Sequence, residues 1–435
     1  MSTKLDTPTT PRPSGRLADT WSLSLHGLRT VVDLELRQRV RSRRWTVALV
    51  AWFVVIGGLT TLIVTAVSST DSSDTSPGAL AFGTITLLVL GMGLLIAPAF
   101  TSTSINNDRM AGTLATLQAT PLTPAEIVVG KLVAAWCAAA VFLVTALPFI
   151  VWTTLLGTIS VWQVIVCFLV VLTEVAVVCA VGIGCSALFS RVAISTVASY
   201  LVVTCLCLFT VIVPVLATTL VVDETPTYRI YGLPPEVAQE WEQERRQWYA
   251  DDQAGLLMAP VDRCTWYDYA AGSARWDEEY YYYDGTEIHT ERVWWMVVPN
   301  PFVVVADSAP LPSLDGSSLS DYVVRSGDPL AGIRLSVREA AQGPDLQIDR
   351  CIDLYRQMGY NITHDPVTDV SRATRPGSTE PDYVSPVRPK VTETGAPVWP
   401  WGLGANLLLA AASVWLAVRR LAVPYRTLAK GTRVA

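Results

Sequence analysis

The chain of 435 residues has few side chains arranged for chemistry. Its three histidines are too far apart for the ligand spacings of common zinc sites; they are His26, His289 and His364. The stretch that ends in Gly130-Lys131 comes nearest to a phosphate-binding loop, but it lacks the first glycine and the serine or threonine after the lysine. Neither Gly-x-Ser-x-Gly nor His-Glu-x-x-His occurs. We therefore expect no catalysis by this chain, and no metal or cofactor bound to it.

One acid lies in an otherwise uncharged region. Between residues 132 and 222 the only charged residues are Glu174 and Arg191, and Glu174 lies midway along an apolar segment. An ionisable group at the middle of a membrane-spanning helix is costly and usually faces protein or water. Glu174 is therefore a candidate residue of a translocation path or of a proton-linked site. The alternative is a structural acid that is hydrogen-bonded to a neighbouring helix.

Two cysteines could form a disulfide. Of the eight cysteines, only Cys264 and Cys351 lie outside the apolar segments of the chain. In an oxidising compartment a bridge between them would close a loop of about 88 residues and stabilise the fold by roughly 4–5 kcal/mol. The alternative is two separately buried thiols.

The apolar residues are clustered in six segments. Hydrophobic residues make up 51% of the chain and charged residues 16%, which excludes a soluble enzyme and a disordered chain. A helix needs about 20 apolar residues to cross a bilayer. Six segments have that length: about 45–68, 79–100, 131–156, 160–188, 194–222 and 399–418. The sequence thus predicts an all-α polytopic membrane protein, with helices 1 to 5 in residues 45–222 and helix 6 in 399–418.

Charge predicts the orientation of these helices. Residues 1–44 hold nine basic and four acidic side chains, and the tail 419–435 holds five basic side chains and no acid. We expect the helices to cross the plasma membrane. By the positive-inside rule, both termini then lie in the cytoplasm. Residues 223–398 then lie outside the cell, with 15 basic and 29 acidic side chains. The net charge of −6 is a sum over two compartments, so it does not indicate a nucleic-acid partner.

The N-terminal region divides into two parts. Residues 1–20 are rich in proline, threonine and serine, which favours disorder. Within 21–44, apolar residues recur at helical spacing: Trp21, Leu25, Leu28, Val32 and Leu36. This pattern predicts an amphipathic helix that lies against membrane lipids at the inner interface. The alternative is a soluble helix packed on a partner.

The outer segment 223–398 is too long for a simple loop, so we expect an extracytoplasmic insertion of mixed α/β structure. Its stretch 294–310 is apolar but too short and proline-rich to span, which predicts a re-entrant or interfacial element. The run Tyr280–Tyr283 with Trp294 and Trp295 could bind an amphipathic ligand or lipid headgroups. The alternative is that these aromatic residues form the core of a small domain.

The loop 101–130 has the clearest local signals. A short helix that ends before Pro121 can carry four apolar residues on one face: Ile105, Met110, Leu114 and Leu117. Thr123, Pro124 and Glu126 then match a capping box with proline at the first helical position. The third membrane helix should therefore begin near residue 124. A short helix between two spanning helices can transmit a push into the bilayer.

Three stretches resemble ABC-2 type permeases. That family typically shows an acidic-basic pair, Gly-Thr-Leu, a small-Pro-Leu-Ser/Thr turn and a Gly-Lys that enters the third span. The matching stretches here are Asp108-Arg109, Gly112-Thr113-Leu114, 119–123 and Gly130-Lys131. Residues 182–196 resemble the family's junction of spans four and five, and Asn300-Pro301-Phe302 resembles its motif before the last span. The chain departs from the family in Asn106-Asn107, where a further acid is common, and in its larger outer insertion.

The resemblance implies a permease subunit of an ATP-binding-cassette exporter. Two permease subunits, identical or different, would pair and dock two separate ATPase subunits, which would bind ATP and magnesium. The positions that match the family's ATPase-coupling loop are Asp108, Arg109, Gly112, Thr113, Leu114, Pro121 and Glu126.

Two other functions compete with this one. The chain could be a sensor or an envelope-assembly scaffold whose 223–398 domain binds a ligand or partner. It could also be a proton-coupled carrier built around Glu174, although it lacks the doubled halves of many such carriers.

Overall fold

The structure is a computed structural model of the chain. It describes residues 20–40, 42–69, 77–113, 122–156, 159–223, 227–231, 280–284, 287–310, 322–323, 326–343, 347–349, 359–365, 370–374, 376–378, 381–384 and 396–422. The predictions for residues 1–19 and for the tail beyond 422 lie outside these ranges.

Helices dominate the described residues. In chain order they are α1 (Leu25–Val40), α2 (Arg43–Ser68), α3 (Pro77–Thr101), α4 (Ser104–Met110), α5 (Pro124–Leu155), α6 (Val161–Leu188), α7 (Val192–Thr204), α8 (Thr210–Ala217), α9 (Pro301–Ser308), α10 (Pro329–Gln342) and α11 (Trp399–Leu421). Among the described residues, six segments are long and apolar enough to cross a membrane: α2, the run from α3 to the end of α4 (Pro77–Met110), α5, α6, the run from α7 through α8, and α11. The prediction of an all-α membrane protein with six spanning helices is confirmed.

Three helices form the centre of the bundle. In α3, α5 and α6, 56% of the most apolar window is buried, compared with 17% in α2, 11% in the α7–α8 run and 22% in α11. The main core cluster draws Phe82 and Leu90 from α3, Leu143 from α5 and Val175 from α6. The peripheral helices α2 and α7–α8 therefore present most of their apolar surface outward.

One end of the bundle is marked by basic residues of the last membrane helix. At one end α1, α4, the first turns of α5 and the last turn of α11 lie together, and Arg419 and Arg420 are in that last turn. We call this the basic end. The opposite end adjoins the residues between α8 and α11, and we call it the insertion end.

The described part of the insertion contains short strands and two helices. The strands are β1 (Val222–Asp223), β2 (Thr227–Tyr231), β3 (Tyr280–Asp284), β4 (Glu287–Ile288), β5 (Gln347–Asp349), β6 (Asn361–Asp365), β7 (Val370–Thr374) and β8 (Pro381–Val384). Strand β2 pairs antiparallel with β3 and parallel with β5; β6, β7 and β8 form an antiparallel sheet; and β1 pairs with β4. The run Tyr280–Tyr283 lies in β3.

Two element boundaries have clear local causes. Helix α5 begins at Pro124, as the capping box predicts: Thr123 Oγ1 accepts from Glu126 N at 3.1 Å, and the Glu126 carboxylate accepts from Thr123 N at 2.9 Å. The fifth spanning segment is not a continuous α-helix, because Cys205–Phe209 form a π-helix between α7 and α8. Pro214 lies within α8 and supplies no N–H to the preceding turn, which favours a distortion just before it.

Candidate functional site

Helix α4 is fastened to the end of α6. The Ser186 hydroxyl accepts hydrogen bonds from Ile105 N at 3.1 Å and Asn106 N at 3.3 Å. These two N–H groups belong to the first turn of α4, where no intrahelical carbonyl is available to them. A side chain of α6 thus caps α4, and the two helices are held together by their ends.

Arg109 makes a second connection from α4 to α6. Its guanidinium donates to Ala187 O at 3.2 Å and to Phe189 O at 3.5 Å, and also to Asn106 Oδ1 at 3.2 Å. Helix α6 ends at Leu188, so these carbonyls lie at its C-terminus, where the helix dipole favours a cation. Arg109 therefore caps α6 from a neighbouring element.

Lys131 joins three helices in one buried cluster. Its side chain is 3% exposed, and its ammonium lies 2.7 Å from Asp108 Oδ2 of α4 and also contacts Glu35 Oε1 of α1. A lysine buried in the first turns of a spanning helix needs such partners, because an unpaired charge there would be costly. The Lys131 cluster, which consists of Glu35, Asp108 and Lys131, thus ties α1 and α4 to α5.

Glu126 holds α1 against the start of α5. It is 4% exposed, and Oε1 accepts from Ser24 N at 2.7 Å in addition to its role in the capping box. A Cβ atom at Gly27 would lie 2.9 Å from the Glu126 carboxyl group, so glycine permits this close approach. The hydroxyl of Thr123 donates to Ser22 O at 2.7 Å. The Glu126 carboxylate therefore bonds both to the N-terminus of α5 and to the residue before α1.

The packed face of α1 differs from the apolar stripe of its sequence. Gly27 and Val31 are buried, and Val31 lies against Gly130 of α5, where a Cβ would meet its side chain at 2.7 Å. Leu25, on the predicted apolar stripe, is 86% exposed. The stripe is thus free of the bundle along part of its length, and its placement against membrane lipids stays a prediction.

The end of α4 has a conformation that only glycine adopts easily. Gly112 has a φ of 71°, and an added Cβ would meet no atom of the described part of the chain within 4 Å. Its N–H bonds to Arg109 O at 3.2 Å, and the Thr113 hydroxyl lies 3.4 Å from both Asp108 O and Asp108 Oδ1. Leu114 and Pro121 lie outside the described residues.

Glu174 lies far from this cluster, inside the bundle. It is fully buried, and both carboxylate oxygens accept from the side-chain amide of Asn406 in α11, at 3.2 and 3.1 Å. This bond joins α6 to α11 in the interior and agrees with the structural alternative. The role of Glu174 in a translocation path stays a prediction.

Helix α9 is bonded at its two ends to different spanning segments. At its start, Asn300 accepts from Phe302 N at 2.8 Å and donates to Cys207 O at 3.0 Å and Thr210 Oγ1 at 2.9 Å. Near its end, Asp307 Oδ2 accepts from Val398 N at 2.7 Å and Trp399 N at 2.9 Å, at the beginning of α11. Helix α9 thus bridges the π-helix and α11.

Two arginines of α10 support Asp307. Arg338 Nε lies 2.8 Å and Arg334 Nε 3.5 Å from Asp307 Oδ1, and all three side chains are buried. Arg334 also donates to Asp307 O at 2.5 Å. The carboxylate therefore has cations on one side and the first N–H groups of α11 on the other, which is a favourable place for an anion.

Comparison with known protein families identifies the class of the chain. A family model described as ABC-2 family transporter protein matches residues 29–247, half of the chain. This match covers most of α1, all five spanning segments up to α8, and the start of the insertion. The chain belongs to the ABC-2 transporter family. No curated protein matches it.

The permease brings most of the predicted loop residues together. Asp108 bonds to Lys131 of α5, Arg109 to the C-terminus of α6, and Glu126 to Ser24 just before α1. Gly112 and Thr113 lie directly after α4. Sequence reasoning missed Glu35 and Ser186 as members of this junction. On the sequence alone, Lys131 was considered only as part of an incomplete phosphate-binding loop and of a family motif. A lysine near the start of an apolar helix is itself a signal for a buried partner.

Other predictions for the permease remain open. Cys264 and Cys351 lie outside the described residues. Among the described residues no cluster of histidine, cysteine, aspartate and glutamate could hold a metal ion. Asn300, Pro301 and Phe302 begin α9, in which most side chains are buried, and the prediction of a re-entrant or interfacial element there stays a prediction.

Proposed function

We propose that this ABC-2 permease is the membrane subunit of an ATP-driven exporter, and that α4 receives the push of separate ATPase subunits. The supporting observation is the way α4 is fastened. Arg109 and Ser186 join it to the end of α6, and Lys131 joins Asp108 to α5 and α1. A displacement of α4 would therefore reach three helices at once.

The physical basis is the stiffness of these connections. A buried ion pair and capped helix ends cost free energy when they are broken, so a small movement of α4 is followed by its partners rather than absorbed locally. Closure of the ATPase subunits on ATP and magnesium would push α4, tilt α5 and α6, and open a path towards the insertion end. In this mechanism the basic end and both termini face the cytoplasm, and residues 223–398 lie outside the cell.

A second permease subunit completes the proposed exporter. Helix α2 and the α7–α8 run bury little of their apolar surface within the chain, which supports an additional covering by a partner permease and by lipid. The permease itself carries no nucleotide chemistry in this mechanism, and no nucleic acid takes part.

The test begins with purification from native membranes in detergent. We expect an ATP-binding-cassette ATPase to co-elute with the wild-type permease. The variant Arg109→Glu should reach the membrane in normal amount but export less for the same ATPase activity, because a carboxylate would then face the carbonyls at the end of α6 and loosen α4 from that helix. Arg37→Glu is the control, since Arg37 is exposed and bonds only to Asp33 among the contacts that the structure describes.

Two further variants sharpen the result. Gly112→Val strains the left-handed backbone after α4 and should reduce coupling without removing a charge. Replacement of the whole loop 101–126 should abolish export. Normal export after that replacement, or wild-type permease that never retains an ATPase, would reject the proposal and favour a sensor or scaffold.

A further inference from the structure

The π-helix Cys205–Phe209 is a weak point in the fifth spanning segment. A π-turn inserts one extra residue into the helical hydrogen-bond ladder and leaves backbone carbonyls that the regular pattern does not satisfy. Pro214 follows in the next turn and cannot donate to the carbonyl of Thr210. In hydrocarbon such groups need partners from elsewhere. The segment is therefore suited to bending at this point.

Asn300 supplies one of these partners from outside the helix. Its side-chain amide donates to Cys207 O within the π-turn and to Thr210 Oγ1 directly after it. The Thr210 hydroxyl in turn donates to Leu206 O at 2.6 Å, so the threonine links the amide to the preceding turn. Asn300 is 1% exposed, and this burial keeps water from replacing its bonds.

The same asparagine belongs to a rigid element. Its Oδ1 caps α9, and Pro301 fixes the first residue of that helix. The other end of α9 holds Asp307, which is bonded to the start of α11. The position of the amide is thus set by α11 and the insertion rather than by the α7–α8 run itself.

We propose that Asn300 is a positioning residue that holds a hinge at Cys205–Phe209 closed, and that release of its amide lets α8 bend away from the bundle. The asparagine fixes the carbonyl of Cys207 and the hydroxyl of Thr210, and through α9 it makes the bend depend on the insertion. The use of this hinge in export rests on the proposed function. The existence of the hinge does not.

Cys207 is a built-in reporter for the test. Its side chain is partly buried against the main core, whereas Cys205 is exposed. The experiment therefore uses the full-length permease with Cys205→Ala in lipid nanodiscs, without any ATPase. A small membrane-permeant maleimide labels Cys207, and mass spectrometry of the peptide gives the labelling rate.

Two variants remove the connection in different ways. Asn300→Ser keeps a capping oxygen for α9 but loses the amide donor, and Thr210→Val removes one acceptor with little change of shape. We expect Cys207 labelling to rise about tenfold in Asn300→Ser, the factor for two lost interhelical hydrogen bonds, and about threefold in Thr210→Val. Both variants should still elute as monodisperse protein.

The two control variants make the same kinds of substitution at sites away from the π-helix. Asp328→Ser alters the matching cap of α10, where Asp328 Oδ1 accepts from Leu330 N before a proline, and Thr145→Val removes a threonine that bonds to its own helix at Phe142 O. Neither should change Cys207 labelling.

Unchanged labelling in Asn300→Ser and Thr210→Val would overturn the hinge, and so would an equal rise in the controls. If both variants fail to fold, Asn300 is a structural residue and the proposal is also wrong. Labelling that responds to Asn300→Ser but never to ATP with a bound ATPase would support the hinge and count against the proposed coupling alone.

Discussion

Replacing Lys131 with methionine would leave Glu35 and Asp108 side by side without the ammonium group that now lies between them. Lys131 is 3% exposed, and the two carboxylates are 13% and 21% exposed. Removing one partner of a buried ion pair costs about 3–5 kcal/mol. The carboxylates retain some contact with water, so we expect the lower value, about 3 kcal/mol, to be lost from the docking of α1 on α5.

Hydrogen exchange of the α1 amides measures this loss directly. Each 1.4 kcal/mol is a factor of ten in an equilibrium constant, so the opening of α1 should become about a hundredfold more frequent. Amides of α1 in Lys131→Met should exchange faster by that factor, whereas amides in the middle of α6 should not change. Adding Glu35→Gln to Lys131→Met removes one of the two repelling charges and should recover part of the protection.

Arg37→Met is the matched control on the same helix. It also removes a cation from an ion pair, but Arg37 and Asp33 are 76% and 60% exposed, and such surface pairs contribute about 0–1 kcal/mol. Hydrogen exchange of the α1 amides in Arg37→Met should rise by less than about fivefold. If Lys131→Met also stayed within that range, the Lys131 cluster would not anchor α1, and the mechanical link from α4 to α1 would have to be abandoned.

Two further variants test other contacts. In Gly182→Ala the added Cβ would collide with Thr101 Oγ1 and should lower the free energy of unfolding by about 1–3 kcal/mol, whereas the Cβ of Gly404→Ala would meet no atom of the described residues within 4 Å and should have no such effect. Thermal unfolding in detergent compares the two variants, and equal melting temperatures would contradict the close approach of α3 and α6. Burial raises the pKa of Asp328 from 3.8 to about 6. The folded state therefore retains a proton that the unfolded chain releases, so the local stability of α10 should fall between about pH 4 and pH 6 and stay constant above pH 6. Asp328→Asn should abolish this pH dependence, as measured by hydrogen exchange of the α10 amides. An unchanged pH dependence in that variant would mean that another group causes it.

At both ends of the bundle, a short helix bonds to longer helices. Helix α4 connects α6 with α5 at the basic end, and α9 connects the π-helix with α11 at the insertion end. Each connection joins polar groups that the spanning helices cannot satisfy alone. The conformation of the bundle can therefore depend on contacts made at either end.

The sequence by itself determined the six spanning helices and the start of α5. Both are local properties: the length of an apolar run fixes a membrane helix, and Thr123, Pro124 and Glu126 form a capping box within one turn. The residues of the loop 101–126 could also be named, because their motif is contiguous.

Only the tertiary structure decided which polar groups meet. Lys131 and Glu35 are 96 residues apart, and Asn300 and Cys207 are 93 residues apart. A spanning helix is apolar on nearly every face, so its sequence carries little periodic signal to show which face meets a neighbour. The packed face of α1 was also decided by the tertiary structure, because it is set by the close approach of Val31 to Gly130 of α5 rather than by the apolar stripe of α1 itself.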